Sequence, residues 1–361
     1  MLQLVRKNAF TLAAAVLALA FLAAGLVTPR AALHAIDVDL LLVLFALLVA
    51  VEMLRESGYL DVAVAKSVVR FTNTRAFVGA LFLFGGMLAA LITNDVALFI
   101  VIPFTVVAAR FSNFDLEHAV MLEIAATNLL GCLTPLGNPQ NLFVFHRSGW
   151  SAAHFVATMA PFVLWSAAGL VLALLRLQRS QPMEHAHAEM PPLDARLAIA
   201  GALCFALVLL EIARLTSAVP AAIAALVAAA IFLRRRVFAI DFSIIPLFFC
   251  AFIVIAGLRS FHAGGVVHLT HPFAVPVVLS QLISNVPATI LLADFVGGDW
   301  RTLLYGVSAG SCGTIIASLA NLLGWRIYLR ESGRDRRFFR RFTALSFALL
   351  AWSVVGGWLL L

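Results

Sequence analysis

Two short polar phrases interrupt long apolar runs in this 361-residue chain, Leu91-Ile92-Thr93-Asn94 and Leu282-Ile283-Ser284-Asn285. Each is followed by a second break, Thr134-Pro135-Leu136-Gly137-Asn138-Pro139-Gln140-Asn141-Leu142 in the first half and Thr314-Ile315-Ile316-Ala317-Ser318-Leu319-Ala320-Asn321-Leu322 in the second. Hydroxyl and amide side chains can ligate ions and anions without carrying a permanent charge through hydrocarbon. Asn138-Pro139 and Ser284-Asn285-Val286-Pro287 have the order of an N-cap followed by a proline, where no amide donor is needed. A helix N-terminus placed there presents free N–H groups and partial positive charge, which attract anions. The carbonyls that end the preceding segments, at Leu91-Ile92 and near Leu133-Thr134, suit Na⁺. The chain therefore reads as an internal duplication with its chemistry where the copies meet.

Two acids stand close to these breaks. Asp95 costs on the order of 2.5 to 3.5 kcal/mol as a charge at mid-membrane, so it is expected to face water or a partner as a cation or proton site. The plainer reading makes it an extra cap on the first turn of a helix. Glu123, one turn before Thr127 and Asn128, is a second candidate proton carrier. Breaks of this kind also serve simply to cap half-helices and to join helices in a bundle, but recurrence at four matched places favours a binding role. Cys132 and Cys312 match across the repeats and read as small packing residues. The cysteines, at 132, 204, 250 and 312, show no CxxC spacing, so neither disulfides nor zinc is indicated. His185 and His187 fall in a hydrophilic linker, and His262, His268 and His271 at an outer interface, without ligand spacing.

What must position these residues follows from composition. Hydrophobic residues make up 63% of the chain, charged residues only 12%, and the mean hydropathy is +1.03. A water-soluble globule could not cover itself with so little polar surface, so a polytopic helical membrane protein is expected. The net charge of +7 comes from basic residues in loops, not from a basic stripe, which argues against a nucleic-acid partner.

Candidate spans are 9–27, 38–54, the pair flanking Asn94 (76–110), 119–148, 155–175, 197–214 and 218–233. They continue with 241–258, the pair flanking Asn285 (272–298), 302–329 and 342–361, and an interfacial helix is expected at 59–70. Residues 1–27 carry Arg6-Lys7 before an apolar run longer than a usual signal-peptide core, favouring an uncleaved span. The arm from His271 to Ser284 reaches only ~18 Å as a helix against the ~30 Å of hydrocarbon. It cannot cross, and with its equally short return arm it forms a re-entrant hairpin tipped by Ser284-Asn285. The arms around Asn94 are of intermediate length, and the repeat relation assigns them the same form. Segment 119–148 would be ~45 Å long as a straight helix, so Pro135, Gly137 and Pro139 are expected to break a single crossing. Unwound backbone at that depth must be buried in protein or line a cavity.

Counting each hairpin as returning and each broken helix as one crossing gives about nine crossings plus two hairpins. With a cytoplasmic N-terminus, every Lys and Arg except Arg30, Arg147, Arg214, Arg259 and Arg301 then lies inside, as the positive-inside rule requires. The fold class expected is an all-α membrane protein of two inverted-topology repeats, multi-pass in a bacterial-type inner membrane. The candidate solute ligands are Thr93, Asn94, Asn138, Asn141, Ser284, Asn285, Ser318 and Asn321. Candidate ion-coupling residues are Asp95, Thr134, Gly137, Thr314 and Glu123, with Na⁺ at Asn94, Asp95 and Asn285 the one metal contemplated. No other cofactor is indicated.

Leu91-Ile92-Thr93-Asn94-Asp95, Thr134 to Asn141, Ser284-Asn285-Val286-Pro287 and the Asn321 region, in this order and spacing, resemble the ion transporter superfamily from about residue 38 onward. Its branches include divalent anion:sodium symporters, arsenite efflux permeases and citrate transporter-like proteins. The resemblance implies a homodimer in which a transport domain (72–178 with hairpin 76–110 and broken helix 119–148, and 272–361 with hairpin 272–298 and broken helix 302–329) slides against scaffold helices (1–71 and 195–271). A cytoplasmic linker spans 179–194. It also implies that the hairpin tips hold substrate carboxylates and the neighbouring loops hold Na⁺. The chain departs from the pattern at Asp95 and Val286, where Thr would complete the tips, and at the second break, which lacks the Gly-x-Pro of 137–139.

The function expected is secondary active transport of a small anionic solute of the citrate, dicarboxylate or inorganic anion class, coupled to Na⁺ or H⁺ by an elevator movement. Na⁺/H⁺ antiport and arsenite efflux are the alternatives within transport. A passive channel would differ by failing to accumulate solute. A membrane-embedded hydrolase would need clustered His, Asp or Glu ligands, or a nucleophile with its base, at membrane depth; no HExxH and no paired-acid arrangement of that kind is found, so no enzyme activity is expected.

Overall fold

The computed structural model describes residues 9–183, 192–212, 215–240, 242, 244–260, 271–293, 295–332 and 336–361. His185, His187, His262 and His268 lie outside the described residues. Among those described there is no β-strand, only an isolated bridge between Asn73 and Pro182. The helices are α1 (Ala9–Ala23), α2 (Pro29–Ala35), α3 (Val38–Glu56), α4 (Tyr59–Val68), α5 (Thr74–Ile92), α6 (Asn94–Phe111), α7 (Leu116–Leu129), α8 (Pro139–Ser148) and α9 (Ala152–Leu177). They continue with α10 (Ala195–Ile212), α11 (Ala218–Ala228), α12 (Ile244–Ser260), α13 (Ala274–Ile283), α14 (Asn285–Leu292), α15 (Trp300–Ala309), α16 (Leu319–Ser332) and α17 (Arg336–Leu360).

Helix boundaries carry the expected chemistry. Asn73 accepts from the Arg75 and Ala76 amides to start α5, Asp115 from His118 to start α7, and Asp299 from Thr302 to start α15. Burial pushes the Asp115 carboxyl up, but hydrogen bonds from the His118 side chain and backbone, with the charges of His118 and Arg341, hold it at about 2.

Six described helices are long and apolar enough to cross a membrane, or seven if α2 and α3, bent by 52°, form one span. Two of the six are α5 and α6, the arms around Asn94; of the nine expected crossings, those at 119–148, 155–175, 218–233 and 342–361 are among the six and that at 38–54 is the seventh. α1 and α12 run 15 and 17 described residues, and the segment 302–329 is cut into helices of 10 and 14. The two helix pairs around the polar phrases differ in length. α5 and α6, of 19 and 18 residues, equal a full crossing, whereas α13 and α14, of 10 and 8, do not. The proline-bearing break expected at 134–142 lies between α7 and α8, and the proline-free break expected at 314–322 lies between α15 and α16, at residues 310–318.

The chain divides into two compact units, Met1–Tyr59 with Pro192–Gly265, and Leu60–Pro191 with Val266–Leu361. In the first, α3 packs on α10 and α11, and α12 packs on α1 and α2. Among its buried polar residues, Glu52 is paired with Arg55 at 2.7 Å and the Ser57 hydroxyl donates to Leu54 O at 2.8 Å. In the second, α6 and α7 are 78% and 83% buried while α9 and α17 are only 39% and 28% buried, so α6 and α7 form its centre. The copies also exchange partners there: α6 packs on α16, and α14 packs on α8. Each return arm thus lies against the other copy's post-break helix.

Candidate functional site

The tips and breaks meet inside the second unit through repeated backbone bonds. The Asn94 amide donates to the Gly137 carbonyl at 2.8 Å, and the Asn285 amide donates to the Ala317 carbonyl at 2.8 Å. Gly137 and Ala317 occupy equivalent places in the two breaks, as do the hydroxyls of Thr134, which donates to the Ala90 carbonyl, and Thr314, which donates to Gln281 O at 3.0 Å. Asn141 Nδ2 closes its own loop on Cys132 O and Thr134 O at 3.0 and 2.9 Å. Asn321 Nδ2 does the same on Ser311 O and Thr314 O at 2.9 and 3.3 Å. These two asparagines therefore shape the breaks themselves.

Thr93 (φ 91°) and Ser284 (φ 75°) hold matched positive-φ conformations with ψ near 150°, a region that strongly favours glycine. Such strain of about 1–3 kcal/mol persists where surrounding structure enforces it and a side chain is needed. Thr93→Gly and Ser284→Gly are expected to melt at the same or higher temperature in detergent while transport falls at least about tenfold. Unchanged transport in both variants would show that neither hydroxyl serves the site.

Asn128, on α7, joins the copies. Its Oδ1 accepts from Asn94 Nδ2 at 3.1 Å and from Ser318 Oγ at 2.9 Å, and its Nδ2 donates to Asn321 Oδ1 at 2.8 Å and Ile124 O at 3.2 Å. Its carbonyl accepts from Asn138 Nδ2 at 3.4 Å. The first tip, both breaks and, through Ala317 beside Ser318, the second tip thus form one bonded cluster. Sequence reasoning placed Asn128 only as a neighbour of Glu123, because its role depends on long-range contacts.

What the cluster offers a ligand is visible in its unpartnered atoms. Asn94 Oδ1, Asp95 Oδ1, Asn138 Oδ1 and Asn141 Oδ1 are buried acceptors with no hydrogen-bond partner, and Asn285 Nδ2 is a buried donor with none. Gln140, 1% exposed, leaves both side-chain atoms unpartnered and was part of the motif without being singled out as a ligand. Buried polar atoms are ordinarily satisfied, so their concentration at one locality marks a place built for something else to bind. The N-caps Asn138 and Ser284 make no side-chain cap bond, so the first amides of α8 and α14 receive none from them. Leu91 and Leu282, beside the tips, are 64% and 69% exposed, and Leu136 and Ile316, beside the breaks, 42% and 46%. The polar cluster thus lies just beneath an apolar rim.

Asp95 is 7% exposed and sits in the first turn of α6. Glu123 is fully buried on α7; Thr105 of α6 donates to its Oε1, and Oε2 has no partner. Glu123 is separated from Asn128 by five residues, ~8 Å along the helix, so it lies beside the cluster without belonging to it. Cys132 and Cys312 are buried free thiols, and no group of three or more His, Cys, Asp or Glu that could hold a metal occurs among the described residues.

Helices of membrane length, broken at polar sites that converge in one unit, define a membrane transporter. The model of the citrate transporter family matches residues 1–310, and the chain belongs to that family. It is similar to Inner membrane protein YbiR of Escherichia coli K12, at 33% identity over 347 residues, covering 92% of this chain and 90% of that protein. It is similar also to an uncharacterized transporter of Methanocaldococcus jannaschii, at 32% identity over 317 residues and 84% of each chain. The human P protein is 29% identical over 131 residues, which cover 34% of this chain and 16% of that protein.

Proposed function

We propose that the protein is a secondary active transporter of a small anionic solute, of the citrate, dicarboxylate or inorganic anion class, coupled to Na⁺ or H⁺. The observation that carries this is the division of unpartnered atoms. At the first tip and its break the oxygens of Asn94, Asp95 and Asn138 are free, a donor set that fits Na⁺ or a proton, and Gln140 in the same break adds one free oxygen and one free amide donor. At the second tip the free atom is the Asn285 amide donor at the start of α14, which fits an anion. Asn285 in this arrangement serves the solute rather than Na⁺.

In this reading the helix pairs α5–α6 and α13–α14 are re-entrant hairpins of two inverted repeats, and the short lengths of α13 and α14 support it directly for the second pair. The second unit is the moving transport body and the first the scaffold of a homodimer in an inner membrane, with a cytoplasmic N-terminus. Asp95 makes the alternative of Na⁺/H⁺ antiport specific, since its carboxylate has no ion pair with a described residue. Arsenite efflux rests on Cys132 and Cys312 alone.

Purified protein in liposomes, given citrate, succinate, sulfate or arsenite under imposed Na⁺ or pH gradients, tests the proposal. Uphill, gradient-dependent uptake of one anion is expected, and Asp95→Asn should remove the gradient dependence while leaving solute binding within about threefold of wild type. Absence of gradient-driven flux for every anion would reject it; Na⁺/H⁺ exchange without anion movement would favour antiport.

A further inference from the structure

A second feature of the transport unit lies away from the polar cluster, on its outer face. α9 and α17 pack together, and a concave groove of about 570 Å³ runs beside them, lined by apolar groups including Leu172, Leu345, Leu349 and Trp352. At one end it is bounded by Arg176, Arg341 and His118. Its floor is fixed: Trp165 and Trp352 stack at 4.9 Å, and each indole N–H donates to the other's backbone carbonyl at 2.8 Å. Gly169 makes room for this pair, because a Cβ there would lie 2.5 Å from Trp352 Cδ1.

The dimensions match one leaflet. Arg341 and Trp352 are eleven residues apart on one helix, a rise of ~16 Å, against ~15 Å for half the hydrocarbon thickness. A charged mouth and an apolar wall one leaflet deep are complementary to a phospholipid whose headgroup is negative. The mouth offers one cation, Arg176, that no described acid pairs, beside Arg341 and His118, which face Glu117 and Asp115. Arg176 is exposed and has no ion pair with a described residue, and Arg341 gives Nη1 to Glu117 Oε2 at 2.9 Å while a guanidinium has further donors. His118 faces Asp115 at 3.2 Å, and Arg337 and Arg340 continue the basic run on α17. Any phospholipid could coat the apolar wall and offer a phosphodiester; an anionic one does so without the headgroup cation that an arginine repels, and so fits the mouth better.

We propose that this groove binds one anionic phospholipid, with its phosphodiester at Arg176 and Arg341 and an acyl chain along Leu172, Leu349 and Trp352. The site is independent of the identity of the transported solute. Its occupant bridges α9, which follows the first broken segment, and α17.

Native mass spectrometry of the full chain, released from nanodiscs containing equimolar phosphatidylglycerol and phosphatidylcholine, reads the preference. Two arginines at an anionic headgroup predict retention of phosphatidylglycerol over phosphatidylcholine by about thirtyfold. Arg176→Gln, which breaks no ion pair with a described residue, should reduce the ratio about fivefold, and Arg176→Gln with Arg341→Gln should bring it near one. Leu172→Trp, which fills the groove and leaves both arginines, should displace the lipid without changing the lipid-free melting temperature. Arg70→Gln, outside the groove, should change nothing. A wild-type ratio near one, a ratio unmoved by the double variant, or phosphatidylglycerol still bound to Leu172→Trp would overturn the proposal. So would full competition by soluble glycerol phosphate, which would make it a free-anion site, or cross-links through position 172 between two copies of the chain.

Discussion

Replacing Asn128 by alanine is expected to reduce solute uptake at least about a hundredfold and to destabilise the protein by about 3–5 kcal/mol. The amide side chain is 1% exposed and makes four hydrogen bonds to Asn94, Ser318, Asn321 and Ile124. Truncation leaves Asn94 Nδ2, Ser318 Oγ and Asn321 Oδ1 buried without these partners, at about 1–3 kcal/mol each before relaxation. The loss of transport should exceed what instability explains, because the deleted group holds the first tip and the second break in one geometry. Thr127→Val, one residue away, is the control: Thr127 is fully buried but its hydroxyl donates only locally, to Ile124 O at 2.9 Å. It should cost less than about 1 kcal/mol and retain most uptake. Asn128→Asp keeps the acceptor and loses the donor to Asn321, so it should fall between them. Uptake into liposomes and thermal melting in detergent, measured on the same preparations, separate the two effects; equal uptake by the Asn128 and Thr127 variants would remove Asn128 from the site.

Gly137→Ala is expected to abolish transport outright. A Cβ at this position would lie 1.7 Å from the Gly131 carbonyl oxygen, 2.6 Å from its carbon and 3.3 Å from Ala89 O, all backbone atoms that no side-chain rotation can move. The loop would have to open, and the Gly137 carbonyl would leave the Asn94 amide that it receives. A cost above about 3 kcal/mol follows. The second copy behaves differently, since Ala317 already carries a Cβ at the equivalent place while receiving the Asn285 amide in the same way. Ala317→Gly should therefore cost less than about 1 kcal/mol. Gly131→Ala, whose Cβ would meet Ala89 Cβ at 3.0 Å, should be intermediate. A folded, active Gly137→Ala protein would show that the first break is not held against α5 as described.

Much of this was legible in the sequence because membrane proteins write their breaks in strong letters. Two prolines with a glycine between them, at 135, 137 and 139, break a helix that a single proline only bends, as Pro103 and Pro161 show inside α6 and α9, and the polar phrases at Thr93 and Ser284 cut their apolar runs. Those positions are the ones at which α5 and α13 stop. Lengths were less legible. The arms around Asn94 extend to 19 and 18 residues because Asn73 caps α5 earlier and α6 runs on to Phe111 through Pro103, neither of which hydropathy alone resolves. The small helix α2 was missed for a similar reason: Thr28 caps it and Pro29 opens it, but it is only seven residues long. Within the site, residue types could be read but not their tasks. Asn141 and Asn321 look like ligands in the motif, yet their Nδ2 atoms bind their own loops. Asn128 and Thr105 look like ordinary helix residues, yet one joins four segments and the other meets Glu123. Such assignments depend on contacts between residues as much as 193 positions apart, as for Asn128 and Asn321, which no local pattern encodes.

The central claim is that a single pocket, made from both tips and both breaks, receives the solute. An electron cryomicroscopy map of the protein in lipid nanodiscs, prepared with the anion that liposome assays show to be transported, measures this directly. We predict non-protein density in contact with Asn94 and Asn285, with Asn128 bridging the first tip to Ser318 beneath it. Density bound elsewhere, a continuous helix through residues 134–141, or Asn94 and Asn285 separated by intervening protein would contradict it.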